Sequence, residues 1–263
     1  MANPKKSPKQ SSRAGRPSGL RVRGPGEGDV GAEGSLTADW QRRVVGRSLR
    51  SATKKSIDRG SGLIAAAATL LERRGGDGFT VQDVADEAGQ SLRTLYLYFE
   101  SKDDLLLAVF EETIKNYATV VREAIADLDD ELDRLAGAIL TAALVPEFAS
   151  SGLDVGLARL RLRLGAAEPQ LMGESERPML LLLAELTSDA SRANAIRGID
   201  HSEAAYLLGM INAGFITGRT LGHEYGGRPP DAYTLTRFCL LGLGADLDSS
   251  QLEGIGKRLR LPG

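Results

Sequence analysis

Hydrogen-bond donors are concentrated between residues 93 and 102 of this 263-residue chain. Arg93 carries a guanidinium, Tyr96 and Tyr98 carry hydroxyl groups, and Lys102 carries an ammonium. Together these groups could bind an acceptor-rich or anionic partner through hydrogen bonds and charge. For the two tyrosines the alternative is a structural role, with the rings filling the core and the hydroxyl groups reaching solvent.

The charge distribution also indicates an anionic partner. Residues 1–60 hold 14 Lys or Arg and 5 Asp or Glu, whereas residues 61–263 hold 19 and 30, so the formal net charge of −2 hides a strongly basic N-terminal part. This split predicts a polyanion, most simply nucleic acid, as the partner of that part. A solubilising disordered tail would produce the same distribution.

The basic segment predicts disorder over residues 1–50, because it is rich in Gly, Pro, Ser and Arg and has no sustained apolar period. Within it, RAGRP at residues 13–17 comes close to the Arg-Gly-Arg-Pro motif that inserts arginines into a DNA minor groove. The inserted Ala14 breaks that pattern.

Residues for catalysis or metal binding are sparse. His201 and His223 are both expected at helix ends, and Cys239 lies in an apolar run that favours a core position. We find no glycine-rich phosphate loop and no metal-ligand spacing, so no enzyme activity, cofactor or metal is expected. The single cysteine fits a reducing cytoplasm, and no apolar run is long enough to span a membrane.

The residues that could bind an anionic partner lie in a predicted helix-turn-helix. A first helix runs from about Lys54 to the glycines at 75 and 76. Thr80, with Asp83 three positions later, marks the start of a second helix that ends at Gly89. Ser91 can cap a third helix, with Leu95 and Phe99 facing the core, and Ser101 can cap a fourth. Two short helices around a tight turn at residues 80–99 predict a helix-turn-helix within a domain at 51–101.

The rest of the chain predicts helices throughout, and so an all-α fold. The predicted segments are 102–127, 131–148, 154–165, 174–193, 202–224, 231–247 and 249–260. Arg159 and Arg163 share one helix face, which favours a solvated surface over a counter-charge for an acidic effector.

Residues 65–110 resemble the DNA-binding domain of the TetR family of bacterial transcriptional regulators. The resemblance rests on Ala-Gly-x-Ser at 88–91, Thr-Leu-Tyr at 94–96 and Phe-x-Ser-Lys at 99–102. It implies that residues 102–263 form a helical effector-binding and dimerisation domain. Gln90 departs from the small apolar residue usual at its position, so its amide either faces DNA or needs a buried partner.

The resemblance implies a recognition helix in the major groove of double-stranded DNA. Arg93 can contact a guanine edge, while Thr94, Tyr96, Tyr98 and Lys102 can donate to phosphates. Leu92 is ambiguous, since its periodicity points inward whereas the family leaves that position facing DNA. The complete set of expected DNA-binding residues is Thr80, Gln90, Ser91, Leu92, Arg93, Thr94, Tyr96, Tyr98 and Lys102.

Two further sites are expected in residues 102–263. An apolar pocket for a small apolar or amphipathic effector is predicted from Phe110, Tyr117, Phe148, Met172, Met179 and Leu182, each of which could instead be core. Glycines at helical spacing predict a homodimer interface, with close packing inside one chain as the alternative. The predicted interface residues are Gly209, Ala213, Gly214, Gly218, Leu240 and Leu243.

Together these patterns predict a homodimeric repressor that leaves a pseudo-palindromic operator when a small molecule binds. The main alternatives are an activator or a regulator that responds to no ligand. A helical adaptor or enzyme that retains this fold is a further alternative, disfavoured because no paired carboxylates and no nucleophile with its base are found.

Overall fold

The computed structural model describes residues 33–148, 151–223, 230–245 and 247–261. Side chains are described from Thr53 onward, except those of residues 145–148 and 151. The predicted minor-groove motif at residues 13–17 lies outside the described residues. Within the described ranges the chain is entirely helical, as the sequence predicts.

Ten helices make up the described fold. They are α1 (Glu33–Arg74), α2 (Val81–Glu87), α3 (Leu92–Leu95), α4 (Lys102–Ala124), α5 (Glu131–Phe148), α6 (Ser151–Ala167), α7 (Pro169–Arg192), α8 (His201–Thr220), α9 (Ala232–Gly242) and α10 (Ser249–Arg258). The predicted helices agree with these bounds to within a few residues, except at the start of α1.

The first helix starts earlier than the sequence indicates. Disorder is predicted up to residue 50, whereas α1 is helical from Glu33. Residues 33–52 contain no proline and only two glycines, so they lack the residues that most strongly oppose a helix. From Thr53 onward the chain forms one unit with its own core.

Buried side chains of this unit form two clusters. One joins α1, α2, α3 and the start of α4 around Leu63, Leu71, Leu95 and Leu105, and includes Leu160 from α6. The other joins the C-terminal half of α4 with α5 and α7–α10. Helix α6 therefore packs directly on the helix-turn-helix region as well as on the larger helical part.

Candidate functional site

The start of α2 is fixed by a reciprocal cap. The backbone N–H of Asp83 donates to Thr80 Oγ1 at 3.1 Å, and the Asp83 carboxylate accepts from the backbone N–H of Thr80 at 2.7 Å. This is the capping box that the sequence predicts. Hydrogen bonds from Thr80 hold the pKa of Asp83 below its usual value.

The turn between α2 and α3 requires a glycine. Gly89 has a φ of +61°, a left-handed conformation that residues with a Cβ rarely adopt. The backbone N–H of Gln90 then donates to the carbonyl of Ala85 at 2.9 Å, which closes the end of α2. The turn sets the direction in which α3 leaves α2.

Helix α3 is anchored by one face and exposed on the other. Ser91 caps it by accepting a 3.1 Å hydrogen bond from the backbone N–H of Thr94, while Leu95 is fully buried. Arg93 and Tyr96 project from the exposed face, together with Leu97, which is 76% exposed. Two predicted donors are therefore free to meet a partner, beside an exposed leucine that the sequence did not single out.

The Gln90 amide turns toward its own chain. Gln90 Nε2 donates to the carbonyl of Arg59 on α1 at 3.0 Å, and Gln90 Oε1 is buried without a partner. Of the two alternatives left open by the sequence, the structure has the inward one. The side chain ties the α2–α3 turn to α1.

Two further predicted donors make contacts within the chain. The Tyr98 ring is half-buried, and its hydroxyl accepts a 3.2 Å hydrogen bond from Ser56 Oγ on α1. Lys102 Nζ donates to the carbonyl of Asp77 and lies 4.8 Å from the centroid of the Phe79 ring. Leu92 and Thr94 are also half-buried, whereas Thr80 and Ser91 are exposed.

A cavity of about 350 Å³ lies among α4, α5, α6, α7 and α8. Four of the six residues predicted for the effector pocket line it: Phe110, Tyr117, Met172 and Met179. Leu182 is instead in the core, where it is 1% exposed, and the side chain of Phe148 lies outside the described residues.

Asp154, which the sequence did not indicate, also lines this cavity and contacts the predicted Tyr117. Tyr117 donates from its hydroxyl to Asp154 Oδ1 at 2.9 Å, and Asp154 is only 7% exposed. Burial raises the pKa of Asp154, although the hydrogen bond from Tyr117 opposes that shift. Burial, together with the neighbouring Asp154, also raises the pKa of Tyr117.

Three more polar side chains that line the cavity are Arg161, Glu176 and Asn212. Arg161 Nε and Glu176 Oε1 form an ion pair at 2.6 Å. Asn212 Nδ2 faces the carbonyl of Ile139 at 3.4 Å, while Asn212 Oδ1 is buried without a hydrogen-bond partner. The cavity thus combines apolar walls with a few convergent polar groups, which is typical of small-molecule sites.

Helix α6 contacts both the cavity and the helix-turn-helix region. Arg163 pairs with the carboxylates of Asp103, in the first turn of α4, and of Asp77, in the loop before α2. Arg159 donates to the carbonyl of Gly75 at 3.0 Å. Both arginines are exposed, as the predicted solvated face implies, and their guanidinium groups also bind residues 75, 77 and 103 of their own chain.

The predicted interface residues have different environments. A Cβ on Gly209 would lie 2.5 Å from Leu180 Cδ2, so Gly209 packs inside the chain, and both Gly209 and Ala213 line the cavity. Gly214 and Gly218 border open space. Leu240 and Leu243 are buried in the intrachain core. The exposed apolar side chains on α8 and α9 are Tyr206, Leu207, Met210, Phe238 and Leu241.

In the part of the chain that the structure describes, no group of three or more His, Cys, Asp or Glu side chains could hold a metal ion. No helix in the same ranges is long and apolar enough to cross a membrane. His201 lies in the first turn of α8 beside its cap, Asp200, and Cys239 is buried in the core.

The fold and these contacts define an all-helical protein with a helix-turn-helix and a larger helical part that contains a cavity. Residues 63–109 match the family model described as bacterial regulatory proteins, tetR family. That segment is thus similar to the DNA-binding region of TetR-family regulators, in agreement with the resemblance found in the sequence.

A curated relative and two solved structures are also similar to this chain. The HTH-type transcriptional activator FasR of Mycolicibacterium smegmatis is 31% identical over 99 residues, which are 38% of this chain and 45% of FasR. RolR bound to resorcinol superposes with a TM-score of 0.59 at 19% identity, over 80% of this chain and 98% of RolR. FadR of Bacillus subtilis bound to stearoyl-CoA superposes with a TM-score of 0.56 at 20% identity, over 72% of this chain and 99% of FadR.

The sequence match and the structural matches cover different lengths of the chain. The sequence match spans less than half the length of FasR. The structural matches extend over most of the chain, but at about one-fifth identity they show a shared fold alone.

Proposed function

We propose that this chain is a DNA-binding transcriptional regulator whose affinity for its operator is controlled by a small molecule in the α4–α8 cavity. The observation that carries the proposal is the position of α6, which lines the cavity and, through Arg159 and Arg163, binds the α1–α2 loop and the first turn of α4, on either side of the helix-turn-helix. A ligand that moved α6 would act directly on the part of the chain that meets DNA.

The exposed face of α3 is the proposed surface for base recognition. Arg93 can form two hydrogen bonds with a guanine in the major groove, and Tyr96 can donate to a phosphate. Thr80 and Ser91 lie exposed at the starts of α2 and α3, where backbone N–H groups also favour phosphates. Gln90, Tyr98 and Lys102 are proposed to position this surface through their contacts with α1 and the α1–α2 loop.

The regulator is proposed to act as a homodimer in the cytoplasm. The exposed apolar side chains of α8 and α9, next to Gly214 and Gly218, would supply an interface between two copies. A twofold dimer would bring two α3 helices to a pseudo-palindromic operator, with half-sites about one DNA turn, roughly 34 Å, apart.

We propose that residues 51–101 bind DNA and that residues 102–263 bind the effector and form the dimer. The basic residues N-terminal to the described chain are proposed to add nonspecific attraction to DNA. Helix α6, together with the first half of α4 and Met172 of α7, would be the part of the effector domain that joins the core of the DNA-binding domain.

Repression with release by the ligand is the proposed mode of action. Activation is the second candidate, because FasR, which is 31% identical to this chain over 99 residues, is named as an activator. The ligands in the RolR and FadR structures support a small-molecule effector here, although they do not identify it.

Two experiments test whether the protein recognises a DNA sequence and whether it represses or activates transcription. Purified full-length protein is mixed with fragmented genomic DNA from the source organism, and the retained fragments are sequenced. Enrichment of one twofold-symmetric sequence is expected, and no enrichment over input would contradict DNA-sequence recognition. A reporter that carries the enriched site is then compared with and without the protein. Lower expression supports repression, whereas higher expression supports activation.

A further inference from the structure

The polar groups of the cavity indicate which chemistry its ligand carries. We propose that the ligand is an apolar molecule with one protonated amino group, which donates hydrogen bonds to the Asp154 carboxylate and to Asn212 Oδ1. This inference rests on the proposed function only in taking the cavity as the effector site.

The charged residues of the lining favour a cation. The cavity is lined by two carboxylates, on Asp154 and Glu176, and by one guanidinium, on Arg161. Arg161 and Glu176 neutralise each other through their 2.6 Å ion pair. Among the side chains that the structure describes, Asp154 receives only the hydrogen bond from the neutral Tyr117 hydroxyl. Within that part of the chain, the lining therefore contains one buried carboxylate with no cationic partner.

A buried carboxylate without a counter-ion is costly to keep charged. Burial accordingly raises the pKa of Asp154. An ammonium group in the cavity would remove this penalty, and charge-assisted hydrogen bonds are among the strongest in proteins. An amine can therefore compensate the buried charge of Asp154, whereas an anion cannot.

Asn212 supplies an independent observation on another helix. It is 7% exposed, and its Oδ1 has no hydrogen-bond partner. The amide orientation is fixed because the carbonyl of Ile139 can only accept, so the Nδ2 group must face it. The unpaired atom is therefore an acceptor, which a donor on the ligand can satisfy.

An anionic head group fits this lining poorly. It would have to separate Arg161 from Glu176 to find a cation, and it would enter a cavity that already contains the Asp154 charge. The remaining walls include Phe110, Met172 and Met179, which suit a hydrocarbon or aromatic body. A volume of about 350 Å³ has room for a molecule of modest size.

The test uses three probes with the same body and different head groups: decylamine, decanol and decanoate, each below its micelle-forming concentration. Binding to the full-length protein is measured by calorimetry without DNA. We expect decylamine to bind at least about tenfold more tightly than decanol and decanoate. In the isosteric Asp154→Asn variant this preference should fall to about twofold or less.

Two further variants separate a direct contact from a folding defect. Asn212→Leu should weaken decylamine binding by a smaller factor and leave decanol binding nearly unchanged. Asp127→Asn makes the same chemical change at an exposed position in the connection between α4 and α5, and it should keep the full preference. Thermal melts confirm that each variant is folded before binding is measured.

Equal binding of the three probes, tighter binding of decanoate, or a preference that survives Asp154→Asn would overturn the proposed ligand class. Operator release is measured separately, by titrating decylamine into the protein–DNA complex. Failure of release, with the amine preference intact, would count against the proposed regulatory function and not against the ligand class.

Discussion

Arg163 of α6 and Asp103 of α4 form a two-point ion pair, with N–O distances of 3.0 and 2.9 Å. The same guanidinium also reaches Asp77 in the loop before α2, at 3.0 Å. Helix α6 also lines the cavity through Asp154, Leu157 and Arg161. The pair therefore joins the wall of the proposed ligand site to the helix-turn-helix region.

We expect Arg163→Ala to weaken the coupling between ligand and DNA. Allosteric coupling free energies are typically about 1–3 kcal/mol, and the variant should lose a substantial part of that. Ligand affinity without DNA should stay within about twofold, because Arg163 does not line the cavity. The measurement is the affinity for operator DNA with and without saturating decylamine.

The matched control for that experiment is Arg122→Ala. Arg122 makes an equally good two-point pair with Glu185, at 3.0 and 2.8 Å, but near the C-terminal end of α4. Its loss should leave the coupling unchanged. If Arg122→Ala reduced the coupling as much as Arg163→Ala does, the pair between α6 and α4 would have no special role.

Lowering the pH should change the contributions of Asp103 and Asp154 to the stability of the fold in opposite directions. The Arg163 hydrogen bonds hold the pKa of Asp103 below its usual value, so its contribution to stability is present above the unfolded-state pKa and is lost as pH falls through the folded value. Burial raises the pKa of Asp154, so its charge destabilises the fold near neutral pH, and protonation removes that penalty.

Because the charge of Asp154 destabilises the fold near neutral pH, we expect Asp154→Asn to raise the melting temperature of the ligand-free protein at pH 7. The advantage over the parent should shrink as pH is lowered and the parent's Asp154 becomes protonated. Thermal melts of both proteins from pH 7 to pH 4 provide the measurement. A variant that is less stable than the parent at pH 7 would mean that the carboxylate is well solvated or paired in the cavity.

Lys102 is expected to matter more for stability than for DNA affinity. Its ammonium binds the Asp77 carbonyl and the Phe79 ring within the chain. Lys102→Met should therefore lower stability by about 0.5–1.5 kcal/mol, the usual net value of one hydrogen bond. The slope of DNA affinity against salt should not change, since no phosphate contact is lost. A slope smaller by about one unit, with stability intact, would assign Lys102 to a phosphate instead.

The exposed face of α8 is predicted to hold the dimer together. Gly214→Leu adds a side chain where the chain itself leaves open space, so it should disturb only a contact with a second copy. We expect monomers in sedimentation, with weaker operator binding as a consequence. Gly254→Leu on α10, which also borders open space, is the control and should remain dimeric. Dimers in the Gly214 variant at unchanged operator affinity would place the interface elsewhere.

Local features of this fold are well predicted from the sequence. Thr80, Ser91 and Ser101 cap the helices that they were expected to cap, because a cap depends on residues only two or three positions away. Gly89 has the positive φ that its place at the α2–α3 turn implies. The fold class follows from the same signals repeated along the chain.

The functional surfaces are less predictable, because they depend on contacts between distant residues. Periodicity marks both Met179 and Leu182 as apolar positions of α7. It does not show which of them faces the cavity, as Met179 does, and which faces the core, as Leu182 does. Similarly, Gly209 packs on Leu180 whereas Gly214, five positions later, borders open space. Asp154 gives no local signal, since its burial and its bond to Tyr117 arise only in the folded chain.

We propose that the exposed face of α3 recognises DNA sequence through Arg93. This is tested by selection from a randomised duplex library with the parent and with Arg93→Ala, and Tyr96→Phe serves as a control that removes one phosphate donor. The parent should select two related half-sites. Arg93→Ala should lose preference at one base pair of each half-site, at a cost of about 1–3 kcal/mol, whereas Tyr96→Phe should keep the parent's preference at lower affinity. Identical base preferences in the parent and in Arg93→Ala would contradict the account.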